Sequence, residues 1–387
     1  MKANNETGIH PFAATLLRWY EEHGRQLPWR GTHDAYHIWL SEVILQQTRI
    51  EQGRDYWQRF VDRWPSVQLL AEATEEEVLR MWQGLGYYSR ARNLLAAARQ
   101  VVAMGGFPHS IEGLRSLKGV GPYTAAAIGS MAFGLPAAVV DGNVFRVLSR
   151  HFGIDTPINS TQGRHVFDEL AAQLLPAAKA ADYNQAIMDF GATWCTPLSP
   201  RCADCPLGDT CVALAHHSVG LLPVKERKLK VQTRRLLYIY IRCKGQTAIH
   251  RRGEGDIWQG LWEPLNLSDA ADASTAADVL ASASSLLGPA FAATNASSGF
   301  PAPRLTLVRK GVRHVLTHRI LLADFYLLET DERPTLPPDY IWISEADIDA
   351  YAIPRLIEIL LEALADRSLP SGKRKKMKEN EKREESL

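Results

Sequence analysis

The sequence predicts a two-domain protein, an all-α domain over residues 8–220 followed by an α+β domain over 234–366. Three observations predict it. At 387 residues the chain is long enough to bury two separate cores. Apolar residues recur at three-to-four spacing from residue 10 to about 215, with almost no strand-like runs. Beyond 234 the pattern changes to β-branched and aromatic runs of strand length. Between the two, "LLPVKERKLKVQT" (221–233) is proline-bearing and densely basic, and reads as an interdomain linker.

In chain order, "FAATLLRWYEEHG" (12–24), "RDYWQRFVDRW" (54–64) and "EEEVLRMWQGLG" (75–86) are amphipathic helices. "ARNLLAAARQVVAMGG" (91–106) closes on glycines suited to a left-handed cap. In "LKGVGPYTAAAIGS" (117–130) a glycine hairpin leads to Pro122 at a first helical position, then to a helix of small residues. "RRLLYIYIRC", "RLTLVRKGV", "HRILLADFYLLE" and "YIWIS" are the strands of the second domain, and "IPRLIEILLEALAD" is its closing helix. Residues 268–299 are Ala/Ser-rich and partly helical by composition, with no role assigned. The tail 367–387 is highly charged with few apolar residues, as disordered segments are. No internal repeat is present.

Charge excludes a broad basic coat. The net charge is +1, and residues 1–222 carry 19 Lys+Arg against 21 Asp+Glu. A nucleic-acid partner must then be met by local basic clusters and backbone amides. The longest weakly polar run, 124–140, is interrupted by Gly129, Gly134 and Pro136, too short and broken to span a membrane.

Four of the 5 cysteines stand at C-x6-C-x2-C-x5-C in "CTPLSPRCADCPLGDTC" (195–211). Disulfides need an oxidising compartment, and the opening "MKANNETGIHPF" has no secretory apolar run; Cys243 would also be left over. Structural zinc usually takes two CxxC pairs, and only Cys202 and Cys205 form one. An iron–sulfur cluster wants one thiolate per iron, and the prolines suit a loop around a rigid body. Spacing alone favours iron–sulfur and leaves zinc open. Elsewhere, Gly119 and Gly121 permit close backbone approach, and the helix after them offers N–H groups to an anion; a plain tight turn would look the same. Asp141 follows an almost wholly apolar run, as a helix N-cap, a functional carboxylate, or both. Glu42 lies in "WLSEVILQQTRI" (39–50) beside Trp39, Val43 and Leu45; apolar surroundings would raise its pKa and suit it to general-acid work, while a solvent-facing glutamate is the bland alternative.

Taken together, "LKGVGPYTA", the aspartate of "VDGNVFRVLSR" and the cysteine loop resemble the endonuclease III superfamily of helix-hairpin-helix DNA glycosylases. Within it, "PWR" (28–30), "LSEVILQQTR", "GLGYYSRARNL" (84–94) and "NQAIMDFGATWC" (184–195) resemble the adenine DNA glycosylase (MutY) family over residues 10–366. The resemblance implies a 4Fe–4S cluster on Cys195, Cys202, Cys205 and Cys211, ordering a loop that meets DNA. It implies a helix-hairpin-helix at about 114–130, and a monofunctional glycosylase that flips out adenine paired with 8-oxoguanine or guanine. Glu42 would be the acid and base, and Asp141 would stabilise or covalently trap the sugar cation, with Tyr123 and Asn143 around it. Arg30 and Gln185 would line the adenine pocket. Gln47, Thr48, Leu85, Tyr87, Lys118, Gly119, Val120 and Gly121 would meet DNA. The expected setting is a monomer on bacterial chromosomal DNA in the cytoplasm.

Two departures carry meaning. Lyase branches of the superfamily hold a lysine nucleophile after the hairpin, where this chain has Tyr123. The second domain resembles a Nudix-like module through "GLWEPL" (260–265), yet the REx2Ex2E glutamates of Nudix hydrolases are absent. That module is expected to read 8-oxoguanine with Leu316, Thr317 and His318 in place of the family's Phe-Ser-His. The competing readings are a lyase for oxidised pyrimidines and a non-catalytic DNA-binding sensor.

Overall fold

The structure is a computed structural model in which residues 8–226, 232–267, 276–287, 304–317 and 319–368 are described. His318, the middle of the linker, much of 268–299 and nearly all of the tail lie outside the described residues. The chain divides into two compact units, residues 1–74 with 90–228, and residues 75–89 with 229–387.

The first unit is helical. Its elements are α1 (Pro11–His23), α2 (Ala35–Ile44), α3 (Ile50–Arg63), α4 (Val67–Glu72), α6 (Ser89–Ala103), α7 (Ile111–Ser116), α8 (Pro122–Phe133), α9 (Gly142–Phe152), α10 (Thr161–Leu174), α11 (Ala180–Thr193) and α12 (Val212–Ala215). Helix α5 (Glu75–Trp82) belongs to the second unit. Local chemistry sets the boundaries. Asp34 caps α2 through the amides of Tyr36 and His37, Pro122 opens α8, and Gly134 and Gly153 end α8 and α9 in the left-handed region. Helix α8 is buried from Thr124 to Met131; its alanines let α2, α7 and α11 pack close. Helix α11 also packs on α1 and α9, so the helices carrying Glu42, Tyr123, Asp141 and Gln185 share one core.

The second unit is a mixed seven-stranded sheet with helices on it. Its strands are β1 (Gln232–Cys243), β2 (Gln246–Arg251), β3 (Trp262–Glu263), β4 (Leu265–Asn266), β5 (Arg304–Val315), β6 (Arg319–Thr330) and β7 (Tyr340–Ser344), in the order β3-β2-β1-β6-β5, with β4 on β1 and β7 on β2. Strands β1 and β6 run parallel; the other pairs are antiparallel. Leu236, Tyr238 and Tyr240 pack with Leu356 and Leu360 of α14 (Arg355–Ser368). The alternate residues Leu237, Ile239 and Ile241 pack with Val279 and Ala283 of α13 (Ala276–Leu287). A strand buried on both faces reads as a continuous apolar run, which is why β1 was plain in the sequence and the short β2, β3 and β4 were not.

Segment 75–89 is joined to the second unit by polar contacts. Arg251 Nη2 donates to Glu75 Oε1 at 2.8 Å, Gln83 Nε2 to Glu358 Oε1 at 2.6 Å, and Arg80 Nη1 to the carbonyl of Tyr351 at 3.3 Å. Beneath, buried Glu263 of the "GLWEPL" stretch accepts from Arg252 Nη1 at 2.6 Å and from the Tyr238 hydroxyl at 2.9 Å. This carboxylate is locked into the sheet's own hydrogen bonding.

Candidate active site

Helix α2 presents Glu42 between buried Trp39 and Val43. Its carboxyl interacts with the Tyr123 hydroxyl in the first turn of α8. Burial pushes the Glu42 pKa up to about 7 and the nearby Asp141 charge adds to this, while the Tyr123 hydrogen bond and Arg30 oppose it. Such a carboxyl can donate a proton near neutral pH. The Tyr123 hydroxyl also points at Met188 Sδ, 3.3 Å away, and burial with its acidic neighbours lifts its own pKa well above the ordinary phenol range.

Asp141 is the helix N-cap that its position allowed. It caps α9, Oδ1 accepting from the amides of Asn143 and Val144 at 2.9 and 2.8 Å, and Oδ2 accepts from Asn143 Nδ2 at 2.8 Å. Burial raises its pKa; the amide of Val144, the Asn143 side chain and amide, and Arg146 pull the other way. The carboxylate therefore has donors that hold it in one orientation.

Residues that the sequence reading passed over keep these groups in place. Arg146 Nη2 donates to Asn143 Oδ1 at 2.8 Å and to the carbonyl of Gly191, while its Nε donates to the carbonyl of Cys195 at 2.8 Å. Buried Asn184 accepts from the Val139 amide and donates to the Ala137 carbonyl, pinning the segment that leads to Asp141. Arg90 Nη1 donates to the carbonyls of Val43, Ile44 and Gln46 at the end of α2. Asp189, fully buried, receives both Arg30 and Arg25 as ion pairs. A carboxylate among Ile187, Met188 and Phe190 was the available signal for Asp189, and Arg146 and Arg150 likewise lie on the buried side of α9.

The expected DNA-facing residues fall into different settings. Gln47 (φ 58°) and Tyr87 (φ 48°) occupy the left-handed region, unusual for residues with side chains, and both are exposed. Lys118 and Gly121 are exposed, Thr48 is half-buried, and Leu85 and Val120 are buried at 8% and 7% exposure. Gly119 has φ +78°, and a Cβ there would sit 2.7 Å from Asn93 Cβ; at Gly121 a Cβ would meet nothing within 4 Å. The first glycine is thus required by the hairpin itself, and the second leaves the backbone open to an incoming group. In the second unit, the Tyr87 hydroxyl and Thr317 Oγ1 share a hydrogen bond, and Leu316 is partly buried against the core that includes Phe325.

The four loop cysteines line one small cavity of about 30 Å³ together with Arg150, Trp194 and Arg201. All are unbridged. Burial raises the pKa of Cys202, and Cys195 and Cys211 add to it, so their charges act on one another. Arg150 binds the loop through Cys195 Sγ (3.5 Å) and the carbonyls of Thr196 and Pro197, and its Nε donates to the carbonyl of Leu222 beyond the loop. Among the described residues no three Cys, His, Asp or Glu side chains converge on a point that could hold a single metal ion. Four thiols around one cavity suffice to give one thiolate to each iron of a cluster, or all four to a single zinc.

Residues 40–172 match the HhH-GPD superfamily of base excision DNA repair proteins, and 237–363 match the NUDIX domain. The adenine DNA glycosylase of Buchnera aphidicola (subsp. Schizaphis graminum) is 32% identical over 257 residues, covering 66% of this chain and 74% of that protein. The chain belongs to the adenine DNA glycosylase family. Another member of the adenine DNA glycosylase family, from Mus musculus, is 46% identical over 225 residues, covering 55% of this chain and 44% of its own length. This chain spans under half the length of that and the other mammalian members it matches. A solved thermostable thymine-DNA glycosylase is 31% identical with a TM-score of 0.50, covering 53% of this chain and 95% of its own. Among the described residues no helix is long and apolar enough to cross a membrane.

Proposed function

We propose that this protein is a monofunctional adenine DNA glycosylase that removes adenine paired with 8-oxoguanine or guanine. The observation that carries this is Glu42, whose pKa of about 7 is set by burial beside Tyr123 and the Asp141 charge. Adenine inside a duplex is out of reach of either carboxyl, so it must be flipped from the stack. It is a poor leaving group until a ring nitrogen is protonated, and a carboxyl that keeps its proton near neutral pH can supply that proton. As the glycosidic bond breaks, positive charge grows on the sugar. Asp141, oriented by Asn143 and the α9 amides, stabilises that charge or traps it covalently, as in retaining glycosidases. Glu42, now ionised, takes the proton of the attacking water. Tyr123 offers no amine, so no Schiff base forms.

Cys195, Cys202, Cys205 and Cys211 would hold a 4Fe–4S cluster, which when bound cross-links a loop that Arg146, Arg150 and backbone turns also hold. The Nudix-like unit would read the base opposite adenine, with Thr317 as a hydroxyl that both donates and accepts.

Duplexes bearing single mispairs or lesions, incubated with protein and then alkali, test the reading. Release of adenine opposite 8-oxoguanine and guanine, with little borohydride-trapped protein, is expected. Release of oxidised pyrimidines with efficient trapping would move the protein to the lyase branch.

A further inference from the structure

A chain of directional hydrogen bonds runs from buried charge to the expected adenine pocket. Asp189 holds both amino groups of Arg30, Nη1 at 2.5 Å and Nη2 at 2.6 Å. Arg30 Nη1 also reaches the Tyr20 hydroxyl at 3.5 Å, and the Tyr20 hydroxyl lies 2.7 Å from Gln185 Oε1. Arg30 can only donate. Burial raises the Tyr20 pKa, so the phenol keeps its proton. With Arg30 on one side, that proton goes to Gln185, and only the carboxamide oxygen can accept it. A separation of 2.7 Å is usual for O–H···O and short for N–H···O. Were the amide reversed, two donors would face the Tyr20 oxygen and the phenol proton would have no partner. Among the described residues Gln185 Nε2 makes no hydrogen bond.

We infer that Tyr20 is a specificity-determining residue that locks the Gln185 amide in the orientation that fits adenine and opposes 6-oxopurines. This rests on the proposed adenine excision. A glutamine can pair bidentately with a base edge that offers one donor and one acceptor. With its oxygen turned to Tyr20, Gln185 still has a second lone pair for the adenine N6 amine, and Nε2 is free to donate to N1. Hypoxanthine presents the reverse on that edge, a carbonyl at C6 and a proton on N1. A freely rotating amide would accept either base.

The test compares single-turnover release of adenine and of hypoxanthine, each opposite 8-oxoguanine, by wild-type protein and Tyr20→Phe, repeated in a Gln185→Glu background. Tyr20→Phe is expected to narrow the adenine-to-hypoxanthine ratio by about ten-fold, in line with one good bidentate pair. In the Gln185→Glu background, where a carboxylate has no orientation to lock, the same substitution should leave the ratio unchanged. A ratio unmoved by Tyr20→Phe, or moved equally in both backgrounds, overturns the inference. Should Tyr20→Phe fail to fold, wild-type protein acting on 1-deazaadenine decides: release about ten-fold slower than adenine supports a donor at N1, and equal release overturns it. A wild-type protein that releases no adenine at all would count against the proposed function instead.

Discussion

Glu42 keeps its proton to about pH 7 because burial outweighs the hydrogen bond from Tyr123 and the charge of Arg30, and this sets a pH window. Protonated Glu42 is the form that activates adenine, so single-turnover excision should fall as pH rises through about 7. On the acid side the rate should fall as Asp141 takes a proton, at a pH above an aspartate's ordinary value because burial raises it. The same shift has a stability consequence of definite sign. Between the unfolded value of 4.5 and about 7 the folded protein holds a proton that the unfolded chain has released. Stability therefore declines as pH rises across that interval, by at most about 3 kcal/mol at 1.36 kcal/mol per pKa unit. Glu42→Gln should raise the melting temperature at pH 8 and change it little at pH 4. Equal effects at both pH values would mean that the carboxyl is not held neutral by its surroundings.

At the scale of elements, the hairpin before α8 separates two kinds of glycine. Gly119→Ala places a side chain at φ +78° against Asn93 and should cost about 1–3 kcal/mol in thermal unfolding. Gly121→Ala meets open space, so the melting temperature should hold while duplex-DNA affinity falls, as measured by titration at fixed salt. Unchanged DNA affinity in Gly121→Ala would remove this turn from the binding surface. Much of this element was legible in sequence, since Pro122 after two glycines and a run of alanines fits only a turn into a close-packed helix. Asp141 and Glu42 were legible only as candidates, carboxylates amid apolar spacing that a plain N-cap or a solvent-facing glutamate would also show, until the family resemblance singled them out. Their supports were not. Asp189 meets Arg25 and Arg30 across 164 and 159 residues, and no local pattern announces a pairing made by tertiary packing. Strands β3 and β4, two residues each, are too short to carry a period. Nor did the amphipathic pattern of α5 reveal that it is grouped with the second unit.

For the whole molecule, the proposed function assigns chemistry and lesion reading to two differently built parts. With a net charge of +1, affinity for DNA must come from local contacts and not from a general field. Thr317→Ala, in the sheet unit, should lower the preference for adenine opposite 8-oxoguanine over adenine opposite guanine by about two- to ten-fold, the worth of one neutral hydrogen bond. Excision from the bound state should change much less. An unaltered preference would place lesion reading elsewhere. In the proposed function Glu42 and Asp141 together break the glycosidic bond of adenine. This is tested most directly by single-turnover adenine release from a duplex carrying adenine opposite 8-oxoguanine, comparing wild-type protein with Glu42→Gln and Asp141→Asn. Each variant is expected to bind the duplex and to release adenine slower by about 10²–10⁴-fold. Near-normal release by either variant, with binding intact, would contradict it.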